Sequence, residues 1–346
     1  MYKPRLYSLT LIAALTAGGL IASAQNYSRE VKLAGITRII SNDAVPEGFD
    51  PVSASDAQLE EYGFPHRPDP NDAKVYSNWL RAVSVTRVRG EWVNTGRYHL
   101  PNQHKGASVA NAVDNISDEA SGNWSGFAIE GGKPFKQVEG RWAVPSVNNQ
   151  FGIGGNGYMS EWVGIDGDCN CNDLMQDGTA QQWTGGSAQY YGWVEYYPEP
   201  EVEVPSFPIA PGDVIQAYTE AIEKSGVVYA SFYMANYNTQ KAVSGTLEIP
   251  SGSKFSGLSA EWIVERTEVN GSFTNPLPFY AYAYMDDAVA WRGSIKSSPS
   301  GPINFSKEAN QNICMTSGVK CKASTNISTV SELGADTMLF TWDHYD

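Results

Sequence analysis

Histidine, cysteine and long apolar runs are all scarce in this sequence of 346 residues. Three of its four histidines, His66, His99 and His104, precede the strand-rich region described below, and His344 lies close to the carboxyl end. A serine or cysteine nucleophile therefore lacks a candidate histidine base in that region, and no H-E-x-x-H zinc motif occurs. Carboxylates, amides and aromatic side chains remain as the groups able to carry chemistry.

Beyond residue 24 no segment approaches the ~18 uninterrupted apolar residues of a membrane-spanning helix. Within the first 24 residues, Lys3 and Arg5 precede the run LTLIAALTAGGLIA, and a small-x-small pattern, Ala22-Ser23-Ala24, follows. This arrangement predicts a signal peptide over residues 1–24. We therefore expect an exported, soluble protein, either extracellular or periplasmic.

Positive charge is also sparse, and it is unevenly placed. Residues 25–110 carry 10 Lys and Arg against 10 Asp and Glu, whereas residues 111–346 carry 12 against 28. A strongly acidic surface repels nucleic acid and anionic membranes, which argues against both as partners. It suits an acidic medium, where protonated carboxyl groups no longer repel one another. Nothing in the sequence suggests an obligate partner, and we expect a monomer.

The four cysteines form an even set in a chain predicted to be exported, which favours disulfides over a metal cluster. Cys314 and Cys321 are able to close a small loop. Cys169 and Cys171 form a C-x-C, in which a mutual bond would be strained, so partners elsewhere and redox sensitivity both stay open.

The composition and residue pattern of the chain change near residue 115. Residues 25–115 are rich in proline and contain two weak helical patterns, one led by Ser53-x-x-Asp56 and one over 72–82. This looks like an accessory segment with little core of its own. From Gly122 onward, about ten short alternating runs are broken by Gly, Pro, Asn and Asp, which predicts an all-β fold, an antiparallel sandwich or jelly roll.

One loop, GIDGDCNCNDLMQDGT, partly resembles a calcium-binding loop. Its candidate ligands are Asp166, Asp168, Asn170, Asn172 and Asp177. Cys171 stands where an EF-hand needs glycine, and the last candidate ligand is Asp rather than Glu. A polar surface loop held by a disulfide is the favoured interpretation, and we expect neither metal nor cofactor.

The run GLSAEWIVERTE reads as a strand with two glutamates on one face. Strand alternation places Ala260, Trp262 and Val264 towards a core, and Glu261, Ile263 and Glu265 on the opposite face. Either the glutamates are ordinary solvent-facing residues or they line a concave functional surface.

Several motifs together resemble the glutamic peptidases of family G1, the eqolisins. They are SGNWSGFAIEG, SEWVGIDG followed by Gln176, YGWVEYYPE, IAPGD and SAEWIVE, in this order from Ser121 towards the carboxyl end. The N-terminal run GFDPVSASDAQLEEYGFPHRPDP is similar to the leader of bacterial members. At Ala180 and Tyr191 the chain departs from the acidic residues that fungal members tend to carry.

The resemblance implies two packed, curved antiparallel sheets of the concanavalin A-like jelly-roll type, and a pepstatin-insensitive acid endopeptidase without a cofactor. It implies a catalytic pair, Gln176 and Glu261, over a domain of residues 116–346, with residues 25–115 as a propeptide able to inhibit it. In such a pair the carboxylate activates water and the amide donates to the oxyanion. The expected lining of the cleft is Trp124, Trp162, Asp166, Tyr191, Trp193, Glu195 and Glu265.

A carbohydrate-active jelly roll is the alternative, either a glycosidase using Glu261 and Glu265 or a lectin-like binder. Residues i and i+4 of a regular strand are about 13 Å apart, whereas paired glycosidase carboxylates lie roughly 5 to 9.5 Å apart. A β-bulge would be needed to shorten that distance. The lectin interpretation gives Gln176 no role.

Overall fold

The structure is a computed structural model, which describes residues 27–105, 109–110, 116–150, 155–169, 171–269, 271, 275–306, 308 and 310–344. The predicted signal peptide and Asn170 lie outside the described residues. Among the helices of the described part, none is long and apolar enough to cross a membrane.

The N-terminal segment contains two short helices among short strands. Its first helix begins after Ser55, which forms a reciprocal capping box with Gln58, two residues later than the Ser53 pattern predicted. The second helix matches the predicted one within a residue. The elements in order are β1 (Ser28–Val31), β2 (Ile39–Asn42), α1 (Asp56–Glu61), α2 (Ala73–Val83), β3 (Thr86–Arg87) and β4 (Val93–Asn94).

Strands make up the rest of the described chain, as the alternating runs predict. They are β5 (Val109–Ala110), β6 (Ile116–Ser121), β7 (Trp124–Glu130), β8 (Phe135–Ala143), β9 (Gly157–Ile165), β10 (Leu174–Thr184), β11 (Ser187–Tyr197), β12 (Val202–Glu203), β13 (Val214–Lys224), β14 (Val227–Asn236), β15 (Lys241–Glu248), β16 (Ser259–Glu265), β17 (Tyr282–Arg292), β18 (Ser300–Asn304), β19 (Asn310–Thr316), β20 (Asn326–Gly334) and β21 (Thr337–Trp342).

The strands form two packed layers. The first has the order β19-β7-β16-β9-β10-β11-β12-β4. The second has the order β21-β17-β8-β13-β14-β15-β2-β1, and β20 joins the layers by pairing with β19 and β21. These ladders are antiparallel, which confirms the predicted all-β sandwich.

The apolar face of β16 enters the core between the layers, as strand alternation predicts. Ala260, Trp262 and Val264 are fully buried in the main cluster of apolar side chains. The indole N–H of Trp262 donates to the backbone carbonyl of Glu139 in the second layer at 2.8 Å, so the large side chain leaves no unpaired donor there. The opposite face of β16, with Glu261 and Glu265, is thereby fixed on the outer side of the first layer.

The N-terminal segment packs on both layers. Trp79 and Leu59 are buried against Tyr233 on the outer face of the second layer, and β2 extends that layer by pairing with β15. β4 then pairs with β12 at the edge of the first layer. The predicted accessory segment thus buries its apolar residues against the sandwich, and the chain after β4 continues onto the first layer.

Both cysteine pairs are closed within the described residues. Cys314 and Cys321 form the predicted small loop. Cys169 and Cys171 are bonded to each other rather than to partners elsewhere. Each bridge therefore links residues close in sequence, on a turn or next to a strand end.

Candidate active site

Backbone register places the predicted catalytic pair on either side of one glycine. Glu261 of β16 and Gln176 of β10 are both cross-strand partners of Gly164 on the strand between them, β9. Two strand spacings separate their Cα atoms by about 10 Å. Gly164 itself adds no side chain between the carboxyl and amide groups, and a Cβ at this position would lie 2.9 Å from the Trp162 ring and 3.0 Å from the Leu174 side chain.

Acidic and aromatic side chains continue the same face. Glu195 is the cross-strand partner of Gln176 on β11, and Glu265 lies two pleats from Glu261 along β16. Trp162 and Trp193 are aligned in the row between, across Gly178. The predicted cleft residues that share this face are Trp124, Trp162, Gln176, Tyr191, Trp193, Glu195, Glu261 and Glu265.

Glu261 is held by the turn that follows β9. Its Oε1 accepts the backbone N–H groups of Gly167 and Asp168, each at 3.1 Å. Among the described residues its Oε2 has no hydrogen-bond partner. Burial raises the pKa of Glu261 to about 8, although the hydrogen bonds it accepts act in the opposite direction. In this closed arrangement the carboxyl group is neutral in acid.

Asp166 braces that turn and lies outside the row of cleft residues. It has a left-handed backbone conformation, with φ of 78°. Its carboxylate accepts the N–H groups of Ser256, Gly257 and Leu258 at 2.6 to 2.9 Å. These three bonds fix the loop before β16, so Asp166 supports the position of Glu261 from behind instead of lining the cleft.

The calcium-like pattern does not converge on one point. The carboxylate of Asp166 is occupied by backbone donors, while Asp177 faces the core and accepts the hydroxyl of Thr219 at 2.7 Å. Cys169 and Cys171 close the loop between them. This arrangement agrees with the disulfide-held polar loop rather than with a cation site.

A segment of the N-terminal region, Arg97 to Lys105, lies along the cleft. Gln176 donates from Nε2 to the backbone carbonyl of His99 at 3.1 Å. Further along, Asn102 donates its N–H to the carbonyl of Gly167 at 3.0 Å. The segment therefore runs from the amide of Gln176 towards the turn that holds Glu261, and we call it the cleft segment.

The side chain of His99 is fully buried among carboxylates. Its Nδ1 lies 2.7 Å from Glu265 Oε2, and its Nε2 lies 2.7 Å from Glu201 Oε2. Its backbone N–H lies 3.0 Å from Glu195 Oε2. Burial alone would lower the pKa of His99, but the three glutamates outweigh it and raise the pKa to about 10. The imidazole is therefore a cation here.

Sequence reasoning missed His99 and Glu201 as residues of this site. The histidines were set aside because they lie outside the strand-rich region, whereas the structure inserts one of them into the cleft. The available signal was charge complementarity: Arg97, His99, His104 and Lys105 lie within nine residues of a segment that precedes an acidic domain. Glu201 comes just before β12 and carries no motif of its own.

The two glutamates of β16 keep the spacing of a regular strand. Its pairing with β7 and with β9 runs without a register shift from Ala260 to Glu265. The bulge that a glycosidase pair would require is absent from this described strand, and Glu265 is instead bound by His99 and by the indole N–H of Trp162 at 3.0 Å. The carbohydrate alternative has no support from this geometry.

Most of the strand-rich region matches a known protein family. The model of the Peptidase A4 family matches residues 122–331. Aspergillopepsin-2 of Aspergillus niger is 30% identical over 236 residues, which cover 64% of this chain and 81% of that protein. Scytalidopepsin B of Scytalidium lignicola is 30% identical over 212 residues, covering 58% and 77%.

The fold has a solved counterpart in scytalido-glutamic peptidase, crystallised with a transition state analogue inhibitor. The TM-score is 0.50 at 23% identity, over 64% of this chain and 98% of that one. With the family match over more than half of the chain, these findings show that the protein belongs to the Peptidase A4 family of glutamic peptidases, the G1 eqolisins, and is a glutamic endopeptidase.

Proposed function

We propose that the protein is an exported acid endopeptidase in which Gln176 and Glu261 form the catalytic pair. The observation that carries this is their position on either side of Gly164, on one face of the first layer. Each also keeps one buried oxygen without a partner among the described residues, Oε1 of Gln176 and Oε2 of Glu261. A water molecule between them would satisfy both oxygens and stand ready to react.

In the proposed reaction Glu261 takes a proton from the attacking water and later gives it to the leaving amine. The N–H groups of Gly167 and Asp168 hold its other oxygen, so the free Oε2 is the one that acts. The amide of Gln176 donates to the carbonyl oxygen as negative charge develops on it, an interaction worth roughly 3 kcal/mol of barrier. Its hydrogen bond to the His99 carbonyl is a ground-state form of that contact.

Residues 25–115 act in this proposal as an inhibitory propeptide, and the cleft segment blocks the catalytic pair. Burial raises the pKa of Glu261 to about 8 in this arrangement, so the closed form lacks an ionised base in acid. Displacing the segment rehydrates the carboxyl group and returns its pKa towards the ordinary range of a glutamate. Blocking of the cleft and neutralisation of the base therefore have one cause.

Acid weakens the inhibitory contact because its anchor is a charge pair. Burial raises the pKa of Glu265, while His99 lowers it by pairing with the ionised form. A contribution that lowers a carboxyl pKa is present above that pKa and is lost as the pH falls through it. Protonation of Glu265 in mild acid thus removes the pairing, while His99 remains charged.

The test is digestion of denatured casein or haemoglobin between about pH 2 and pH 7, with pepstatin added in parallel. Wild type is compared with Glu261→Gln and Gln176→Ala, and the matched controls are Glu332→Gln and Gln189→Ala at exposed strand positions. We expect acid proteolysis that resists pepstatin, persists in both controls and is lost in both cleft variants. Proteolysis by either cleft variant at the wild-type rate would refute the pair.

Processing is tested separately by mass spectrometry of the chain before and after incubation in acid. We expect the N-terminal segment to be removed in wild type and retained in Glu261→Gln. An N-terminus that stays at Gln25 after acid incubation of an active enzyme would refute the propeptide role. Sedimentation of the processed chain tests the monomer.

A further inference from the structure

The pocket around His99 satisfies every polar atom of that residue. The imidazole stacks on Trp193 with ring centroids 3.6 Å apart and planes within 7° of each other. Its two nitrogens reach Glu265 and Glu201, both fully buried. The backbone N–H of His99 contacts Glu195, and its carbonyl receives Gln176. Because each polar atom of His99 has a partner, the pocket has the properties of a binding site for one residue of a bound peptide.

The chemistry of this pocket selects for a planar cation. Each ring nitrogen faces a carboxylate oxygen, so each donates a hydrogen, which only the protonated imidazole can do. Other donors orient the carboxylates: the hydroxyl of Tyr191 donates to Glu201 at 3.0 Å, and the indole of Trp162 donates to Glu265. A neutral apolar side chain in the same place would leave two buried carboxylates without a counter-charge.

The direction of the cleft segment relates this pocket to the reacting bond. The carbonyl of His99 receives the amide of Gln176, and the N–H of Leu100 donates to Glu265 Oε1 at 3.2 Å. In a substrate bound the same way, the carbonyl facing Gln176 is the one attacked. The pocket then receives the side chain on the amino side of the cleaved bond.

We propose that Trp193, Glu195, Glu201 and Glu265 form a specificity pocket for a cationic side chain, histidine or arginine above lysine, immediately before the bond that is cleaved. This inference rests on the proposed function, since it takes Gln176 as the group that binds the reacting carbonyl. Stacking on Trp193 favours the planar imidazolium and guanidinium over the ammonium of lysine.

The test uses quenched fluorescent peptides that differ in one residue, His, Arg, Lys, Gln or Leu, before a single cleavable bond. The full-length protein is first activated in acid, and the resulting enzyme is assayed for kcat/KM at pH 4, 5 and 6. We expect the His and Arg peptides to exceed the Leu peptide by roughly tenfold or more, the size of a hydrogen bond to a charged group. The preference grows with pH, because the carboxylates must be ionised.

Glu201→Gln is the variant that addresses the pocket, and Glu332→Gln, at an exposed strand position, is its matched control. We expect the ratio of His to Leu peptide to fall roughly tenfold in Glu201→Gln and to stay at the wild-type value in Glu332→Gln. Should Glu201→Gln fail to fold, peptides of residues 95–105 with His or Leu at position 99 are compared as inhibitors of the wild-type enzyme, and the His peptide should bind roughly tenfold better.

The outcomes separate the two proposals. Equal cleavage of all five peptides, or equal inhibition by both 95–105 peptides, would overturn the cation pocket while leaving the catalytic pair intact. Peptide cleavage that continues in Glu261→Gln would overturn the catalytic pair on which the pocket depends.

Discussion

Replacing Asp177 by asparagine should remove a loss of stability that accompanies rising pH. Asp177 is adjacent to Gln176 on β10, but its side chain faces the core between the layers. Its Oδ1 accepts the hydroxyl of Thr219 at 2.7 Å, and its Oδ2 has no partner among the described residues. Burial, only partly offset by Thr219, raises the pKa of Asp177 to about 8.

The magnitude follows from proton linkage. An unfolded aspartate has a pKa near 3.8, so between pH 4 and pH 8 the folded chain holds a proton at Asp177 that the unfolded chain has released. The free energy of unfolding then falls as the pH rises, by ~1.4 kcal/mol per pH unit for this one group. Across the window the loss is on the order of 5 kcal/mol. Asparagine keeps an oxygen acceptor for Thr219 and does not titrate.

The assay is urea unfolding at several pH values from 4 to 8, in the Glu261→Gln background to prevent self-digestion. Asp177→Asn should flatten the decline by about one proton's worth, ~1.4 kcal/mol per pH unit. Asp118→Asn, at an exposed position, removes the same formal charge and should leave the slope unchanged. Equal slopes in the parent and Asp177→Asn would refute the inference that this carboxyl group is buried and neutral.

Three further predictions concern the cleft and its surroundings. Gly164→Ala places a Cβ 2.9 Å from the Trp162 ring, so kcat/KM should fall roughly tenfold or more while circular dichroism still reports a folded sandwich. Unchanged kinetics would contradict the requirement for glycine between the pair. His99→Gln removes the charge pairing of the cleft segment, so the unprocessed chain should digest casein at a higher pH than wild type does. If proteolysis begins at the same pH in both proteins, the proposed inhibitory role of His99 is contradicted. Opening the Cys314–Cys321 bridge, which spans seven residues, by paired serine substitution should cost about 2 kcal/mol in urea unfolding, and no change would contradict its role.

Much of the fold follows from local patterns in the sequence. The two-residue alternation of SAEWIVE fixes which side chains of β16 enter the apolar core, because reversing the face would place two glutamates among apolar side chains and remove Trp262 from them. Alternation also separates Gln176 from Asp177, one in the cleft and the other in the core. Neither inference needs knowledge of which strands are neighbours.

Local sequence patterns do not determine strand register. The alignment of Glu261 and Gln176 on Gly164 depends on the pairing of β16 with β9, in which Glu261 and Gly164 are 97 positions apart in sequence, and local patterns do not fix such a distant pairing. The motif resemblance predicts which two residues form the catalytic pair but not how they are placed relative to each other. The resemblance places Asp166 among the cleft residues, whereas in the structure its carboxylate holds the loop before β16.

The position of His99 in the cleft cannot be predicted from the sequence, for a different reason. The cleft segment has neither strand nor helix periodicity, and its position is decided by contacts with Glu195, Glu201 and Glu265, which follow it by about 100 to 165 residues. The charge counts predict an N-terminal region without net charge followed by a strongly acidic domain. That signal predicts attraction between the two, but not which cation enters the cleft.

The carboxylates around His99 link inhibition of the enzyme to its selectivity. Glutamates confined to one buried pocket repel one another, so the open cleft must either take up protons or bind a cation. In the proposed propeptide role, mild acid makes the first route available and weakens binding of the cleft segment, whereas a higher pH favours the second route and binding of the segment. A substrate with a cation before the cleaved bond uses the same site as His99. In these proposals, the segment that inhibits best is therefore the one that most closely resembles a preferred substrate. Protonation of the pocket carboxylates weakens binding of the segment and also reduces the preference for a cationic side chain.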